Sequence, residues 1–169
     1  VFALDTYNEP GNAGMGSDSI PLLVATHDWL REIGIEKPLT TAPYAPHDMA
    51  HHWRLQCALS DIVSIHQYET AEKTGAAIDD VVAREGRPVL LTEWMARVRG
   101  STIPDVLSVL TEKRVGWFMW GFVSGRSQTI YAWDWMKEVA DPDLWFHDLY
   151  HPDHTPYRPE EVALLRALN

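Results

Sequence analysis

Glu9 and Glu93 each follow a short apolar run. Glu9 stands in Asn8-Glu9-Pro10 after Val1–Tyr7 (VFALDTY), and Glu93 in Thr92-Glu93-Trp94 after Pro88–Thr92 (PVLLT). Between them, Ile62–His66 (IVSIH) runs into His66-Gln67-Tyr68, and later Gly116–Trp120 (GWFMW) ends at Gly121. Asn, Glu, His, Tyr, Glu and Trp at the ends of apolar runs form a chemically useful set. A carboxyl at the mouth of an apolar strand is partly desolvated, which raises its pKa. Catalytic carboxylates occupy such environments. Two carboxylates facing each other across a cleft suit the cleavage of a glycosidic bond: one donates a proton to the leaving oxygen, the other attacks the anomeric carbon. A separation of about 5–5.5 Å goes with retention and about 6.5–9.5 Å with inversion. The competing readings are structural. Either glutamate could cap a helix or sit in a loop. His66 could be a satisfied core histidine, Tyr68 a plain loop aromatic, and Trp94 and Trp120 core residues.

The elements that must position these residues alternate along the chain. Val1–Tyr7 is a β-prone run. Ser17 or Asp18 can cap a helix over Ser19–Ile33, with Pro21 in its first turn. Leu22, Leu23, Trp29, Leu30 and Ile33 give that helix an apolar face at helical spacing, and Gly34 ends it. Pro38–Thr41 reads as a strand, Asp48–Leu59 as a helix and the β-branched Ile62–His66 as a strand. A helix over Lys73–Glu85, stopped by Gly86, precedes the strand Pro88–Thr92. Ile103–Lys113 is helical, Gly116–Trp120 is a strand, 121–157 is irregular and Trp-rich, and Pro159–Leu168 closes as a helix. Strands that alternate with helices, apolar on both faces, predict an α/β fold with parallel strands and right-handed crossovers. A barrel and a doubly wound sheet both satisfy that order. Asn8-Glu9-Pro10-Gly11-Asn12 lacks the glycine pattern of a phosphate loop, which weighs against a nucleotide-binding sheet. In a (β/α)8 barrel the C-terminal strand ends carry the active site.

Taken together, these motifs resemble clan A of the retaining glycoside hydrolases, with family 5 (cellulase, mannanase and β-glycosidase types) nearest. The resemblance rests on Asn8-Glu9-Pro10, His66-x-Tyr68, Glu93 and Trp120 in that order. It spans the chain, from the clan's fourth strand to its eighth. It implies a partial (β/α)8 TIM barrel of about five βα units, in one domain over residues 1–169. By the same resemblance Glu9 is the acid/base and Glu93 the nucleophile of a double displacement. Asn8 would bind the sugar 2-hydroxyl, and His66 and Tyr68 would lie on one strand end, with Tyr68 near the nucleophile. Trp120 would form the platform under the sugar being cleaved. The substrate would be a β-linked oligo- or polysaccharide, with no cofactor and no metal.

Composition narrows the partners. Apolar residues make up 46% and charged residues 22%, the balance of a globular chain and not of a disordered one. A net charge of −10 disfavours nucleic acid and anionic membrane surfaces. No run approaches a membrane span, and a secretory signal pattern is absent from the residues given. By resemblance a secreted or periplasmic location fits, while the sequence itself leaves localisation open. Cys57 is the one cysteine, so no intrachain disulfide forms. The clusters His47-Asp48-x-x-His51-His52 and His147-x-x-x-His151-x-x-His154 have metal-ligand residue types. Without a matching partner cluster they read as solvated loop histidines. Trp133, Trp135 and Trp145 either line a sugar subsite or pin the irregular segment.

The chain is expected to be a fragment or a processed form. A whole barrel takes about 250 residues; this chain has 169. The first three βα units, with the Arg and His that family 5 carries on its early strands, have no counterpart. Exposed parallel edges call for cover. Three outcomes follow: a homo-oligomer that completes the barrel, completion by a different chain, or an inactive or carbohydrate-binding remnant. Closing eight strands from two copies leaves one strand per chain outside. Val1–Tyr7 is the candidate, at the expense of misplacing Glu9.

Overall fold

The structure is a computed structural model that describes residues 1–43, 50–138, 141 and 143–168. It divides into two compact units, each treated separately below. The first comprises residues 1–66 and 79–92, the second residues 67–78 and those from 93 onward.

In the first unit β1 (Leu4–Asn8) lies parallel to β2 (Leu39–Ala42). Leu4 opposes Leu39, Asp5 opposes Thr40 and Asn8 opposes Ala42, so three steps on β1 face two on β2. An extra residue of this kind bends a strand and re-aims the side chains at its end; here it falls just before Glu9. β2 is buried at all four positions. It meets β3 (Val63–His66) through Thr40 Oγ1 and Ser64 Oγ, 2.8 Å apart, and through Asp61 N–H donating to Leu39 O at 2.8 Å. β4 (Val89–Glu93) is the neighbour of β3. Val63 N–H donates to Pro88 O at 3.0 Å and Gln67 N–H to Glu93 O at 2.9 Å. The two bonds advance in the same direction along both segments, the parallel sense. The α/β class with parallel strands is therefore observed. Leu23, Leu39, Val63, Ile65, Val89 and Leu91 belong to the buried apolar set of this unit.

α1 (Ile20–Glu32) departs from the predicted helix in two ways. A 3-10 turn, Gly16–Ser19, precedes it, and neither Ser17 nor Asp18 caps it. Ser19 is buried instead, donating to Gly16 O at 2.8 Å and lying 3.0 Å from His52 Nε2. The predicted apolar face holds only in part, with Leu30 half-buried. Leu23 and His27 are the buried positions, whereas Leu22, Trp29 and Ile33 are exposed. His27 goes inside because Nδ1 bonds Leu23 O, one turn back, at 3.0 Å. α2 (Ala50–Leu59) matches the predicted helix; Asp48 and Met49, which the prediction included, lie outside the described residues. α3 (Ala71–Glu85) begins two residues earlier than predicted and ends at Gly86, whose φ of +59° suits glycine.

In the second unit α4 (Ile103–Lys113) has its predicted bounds. Its buried stripe is Ile103, Val106, Leu107 and Leu110, one helical face. The predicted strand Gly116–Trp120 is cut to β5 (Gly116–Trp117). Beyond Trp117 burial alternates residue by residue, with Phe118, Trp120 and Phe122 exposed. The apolar pattern is that of a strand, but no ladder pairing continues it. α5 (Pro159–Arg166) closes the unit. Arg97 ties α5 to the irregular segment. Its guanidinium donates to Glu161 Oε1 at 3.0 Å and Oε2 at 2.5 Å, and to the carbonyls of Trp145, His147 and Asp148. Among the described residues no helix is long and apolar enough to cross a membrane.

Candidate active site

Glu9 sits one residue past β1 with a φ of +44°, an uncommon backbone state for a residue with a side chain. Gly11, Ala13, Gly14 and Gly16 are also left-handed, so the chain coils tightly after the strand. The coil is fastened by Asn12 N–H on Glu9 O at 3.0 Å. It also returns the Asn12 side chain to the glutamate: Nδ2 donates to Glu9 Oε2 at 2.5 Å. From the end of β3, His66 Nδ1 lies 2.6 Å from Glu9 Oε1. The His66 side chain is 5% exposed and that of Glu9 18%. His66 is thus committed to a carboxylate at a strand end and not to apolar packing. Burial by itself raises the Glu9 pKa. The hydrogen bond and charge of His66, with the Asn12 hydrogen bond, outweigh it, and the carboxyl lies below the usual range. Asn8, the last residue of β1, is exposed beside this group. Asn12 was not singled out from the sequence; its one signal was a turn-forming residue inside Gly11-Asn12-Ala13-Gly14.

In the second unit Glu93, the last residue of β4, accepts a hydrogen bond from the Tyr68 hydroxyl at 2.5 Å. Both side chains are half-buried. The Tyr68 ring packs edge-on against Trp133, centroids 5.0 Å apart, and lies 5.5 Å from the His147 ring. Trp133 and His147 line a cavity of about 590 Å³, together with Trp120, Thr129, Tyr131 and Lys137. Trp120 is 44% exposed, and its backbone N–H donates to Trp94 O at 3.1 Å. Trp94 is fully buried and meets Trp117 edge-on, so of its two readings it is core. Trp133 both lines the cavity and packs on Phe146; Trp135, 70% exposed, stacks on Trp133. Trp145 stacks on Tyr157 at 4.3 Å and so pins the irregular segment.

Two histidine expectations need correction. His52 is buried and not solvated, held between Ser19 Oγ and Gln56 Nε2. His147 is 1% exposed, with Nδ1 bonded to Met95 O at 2.5 Å. Burial, joined by the Arg97 charge and opposed by the Met95 bond and Asp148, brings the His147 pKa down to about 4. His47 lies outside the described residues. Polar type argued for solvent in each case. A buried imidazole is nevertheless tolerated when a carbonyl or hydroxyl meets it. Nothing in the local sequence marks His147 as such a case.

No family model matches the chain, and no curated protein does. Among solved structures it is similar to the β-mannanase from Streptomyces thermolilacinus, determined with mannohexaose. That similarity has a TM-score of 0.48 at 17% identity, over 80% of this chain. The chain spans 45% of the length of that enzyme.

Proposed function

We propose that this chain is part of a retaining glycoside hydrolase of partial (β/α)8 form, acting on β-linked glycans with Glu9 as acid/base and Glu93 as nucleophile. One observation carries the reading. Each glutamate selected by its strand-end motif is hydrogen-bonded by a ring residue selected in the same way, His66 on Glu9 and Tyr68 on Glu93.

In the first step the Glu93 carboxylate forms a bond to the anomeric carbon, the glycosidic C–O bond breaks, and the leaving oxygen takes the Glu9 proton. In the second, water attacks the same carbon, Glu9 takes the water proton, and the Glu93 ester bond breaks. The Tyr68 hydroxyl stabilises the anionic form of Glu93 and fixes its orientation. His66 and Asn12 orient Glu9. Asn8 and Trp120 would hold the sugar, as hydrogen-bonding group and stacking face.

The test is hydrolysis of a panel of nitrophenyl β-glycosides and of underivatised β-linked oligosaccharides. Glu93→Ala should abolish both activities. Glu9→Ala should slow the underivatised substrates by about 10²–10⁴ and the nitrophenyl ones less, because nitrophenolate leaves without a proton. A fluorinated-sugar inactivator should label Glu93. Labelling of another carboxylate would reassign the nucleophile.

A second reading is favoured by the cavity, whose lining lies wholly in the second unit. A carbohydrate-binding remnant could use it without Glu9. Wild-type hydrolysis no faster than that of the Glu93→Ala chain would favour the remnant.

A further inference from the structure

We propose that His147 is a sugar-binding residue of a saccharide groove, its Nε2 accepting a hydroxyl hydrogen from a sugar ring held against Trp120 and Trp133. The ligand class rests on the glycosidase reading; the acceptor itself rests on the geometry around His147.

A carbonyl can only accept, so the contact of His147 Nδ1 with Met95 O at 2.5 Å puts the ring hydrogen on Nδ1. The ring is neutral near pH 7, because burial holds its pKa at about 4. Nε2 is therefore a bare acceptor. It is buried and has no hydrogen-bond partner among the described residues. Leaving such an atom unsatisfied is costly, and a polar group facing a cavity is satisfied by whatever fills the cavity. His147 lines the cavity of about 590 Å³ whose walls include Trp120, Tyr131 and Trp133. The adjacent Asp148 also carries an unpartnered buried atom, though it does not line the cavity. Its Oδ2 accepts from Thr129 Oγ1 at 2.7 Å, while its buried Oδ1 has no partner among the described residues.

The surroundings fix this acceptor in place. Gly121 has a φ of +84°, and a Cβ built there would come within 2.6 Å of His147 Cβ and 2.7 Å of Asp148 N. The close approach of the Gly121 backbone holds the 147–148 segment from one side, and Arg97 holds its carbonyls from another. On the ring face, His147 and Trp133 both pack on Tyr68, which bonds Glu93. Aromatic walls with an acceptor between them suit a ring that has apolar faces and O–H donors at its edge. A carboxylate or phosphate oxygen has no hydrogen to give Nε2, whereas a ring hydroxyl has one.

The test uses the whole chain carrying Glu93→Gln, so that sugars stay uncleaved. Calorimetric titrations with cellotetraose, mannotetraose and xylotetraose compare it with the same chain bearing H147N or H147Q. Asn can place a donor where Nδ1 is and keep the Met95 bond, but it supplies nothing at Nε2. Gln places an oxygen near Nε2. The expected result is roughly tenfold weaker binding in H147N, the size of one lost hydrogen bond, with part of it recovered in H147Q. Nitrogen NMR of the unsubstituted histidine should show the His147 Nε2 resonance moving when sugar is added, a readout independent of whether the variants fold. Unchanged affinity in H147N, an unmoved resonance, or no binding of any of the three sugars overturns the inference. The glycosidase reading fails separately, if sugar binds through His147 and yet Glu93→Ala leaves hydrolysis unaltered.

Discussion

Glu9 accepts hydrogen bonds on both carboxylate oxygens, from His66 on one and Asn12 on the other. Both favour the ionised form, whereas the first step of a retaining reaction needs the protonated one. On underivatised substrates the alkaline limb of kcat/KM reports the acid in the free enzyme. With the Glu9 pKa lowered, that limb should fall on the acid side. Asn12→Ala removes one bond to the anion, so the Glu9 pKa rises and the limb moves to higher pH. Nitrophenyl substrates should barely respond, since their leaving group needs no proton. A limb that stays put in Asn12→Ala would assign it to another group. His147 gives a second pH signature, in stability. Its folded pKa of about 4 lies below the ordinary 6.5, so between those values the unfolded chain binds more protons. The stabilisation is complete above about pH 6.5 and is lost as pH falls through about 4. The full difference is on the order of 3 kcal/mol. Urea midpoints of wild type and H147Q should therefore converge on acidification from pH 7 to 4, with H147Q the less affected.

Arg97 decides how the irregular segment and α5 hold together. Its side chain and that of Glu161 are 1% and 2% exposed. Removing one partner of a buried pair leaves a charge without its counterpart, at about 3–5 kcal/mol. Glu161→Gln should lose roughly that much in chemical denaturation. Arg97→Met should lose more, since it also strips donors from the carbonyls of Trp145, His147 and Asp148. Equal losses would mean that those carbonyl bonds contribute little. The anchor itself was not legible in the sequence, because an Arg and a Glu 64 positions apart carry no mark of pairing. The elements it joins were. Residues 38–41, 62–66 and 88–92 read as strands because β-branched and Leu-rich runs stand between turn formers. The structure shifts their bounds by at most one residue. GWFMW misled because apolar content alone cannot tell a paired strand from an unpaired one. The α1 face misled for a related reason. Leu22, Trp29 and Ile33 share helical spacing with one another as well as Leu23 and His27 do, and periodicity does not say which stripe meets the core. The strand-end set Glu9, His66, Tyr68 and Glu93 was legible from its order along the chain. Asn12 and His147 reach their places only through left-handed turns and an irregular segment that no simple period encodes.

Apolar surface left exposed is the feature with a consequence for the whole molecule. Phe118, Trp120 and Phe122 alternate on one exposed side, and in the other unit Leu22, Trp29 and Ile33 form an exposed stripe on α1. Contiguous apolar patches on a soluble surface mark contacts with something else. Homo-oligomerisation is the proposal that follows, and its driving force can be tested against its opponent. A net charge of −10 makes copies repel one another. Salt screens that repulsion while leaving apolar burial intact or strengthened. Sedimentation equilibrium at micromolar concentration should therefore show association that tightens from low to moderate salt. Replacing Phe118 and Phe122 together with Ser should weaken it, while substitutions on the opposite side of the same segment, such as Met119→Leu, should not. If ion pairs held the copies together, salt would loosen the assembly. A monomer at every salt concentration would leave these faces to a different chain or to none. In that case any hydrolysis measured would have to come from a single copy.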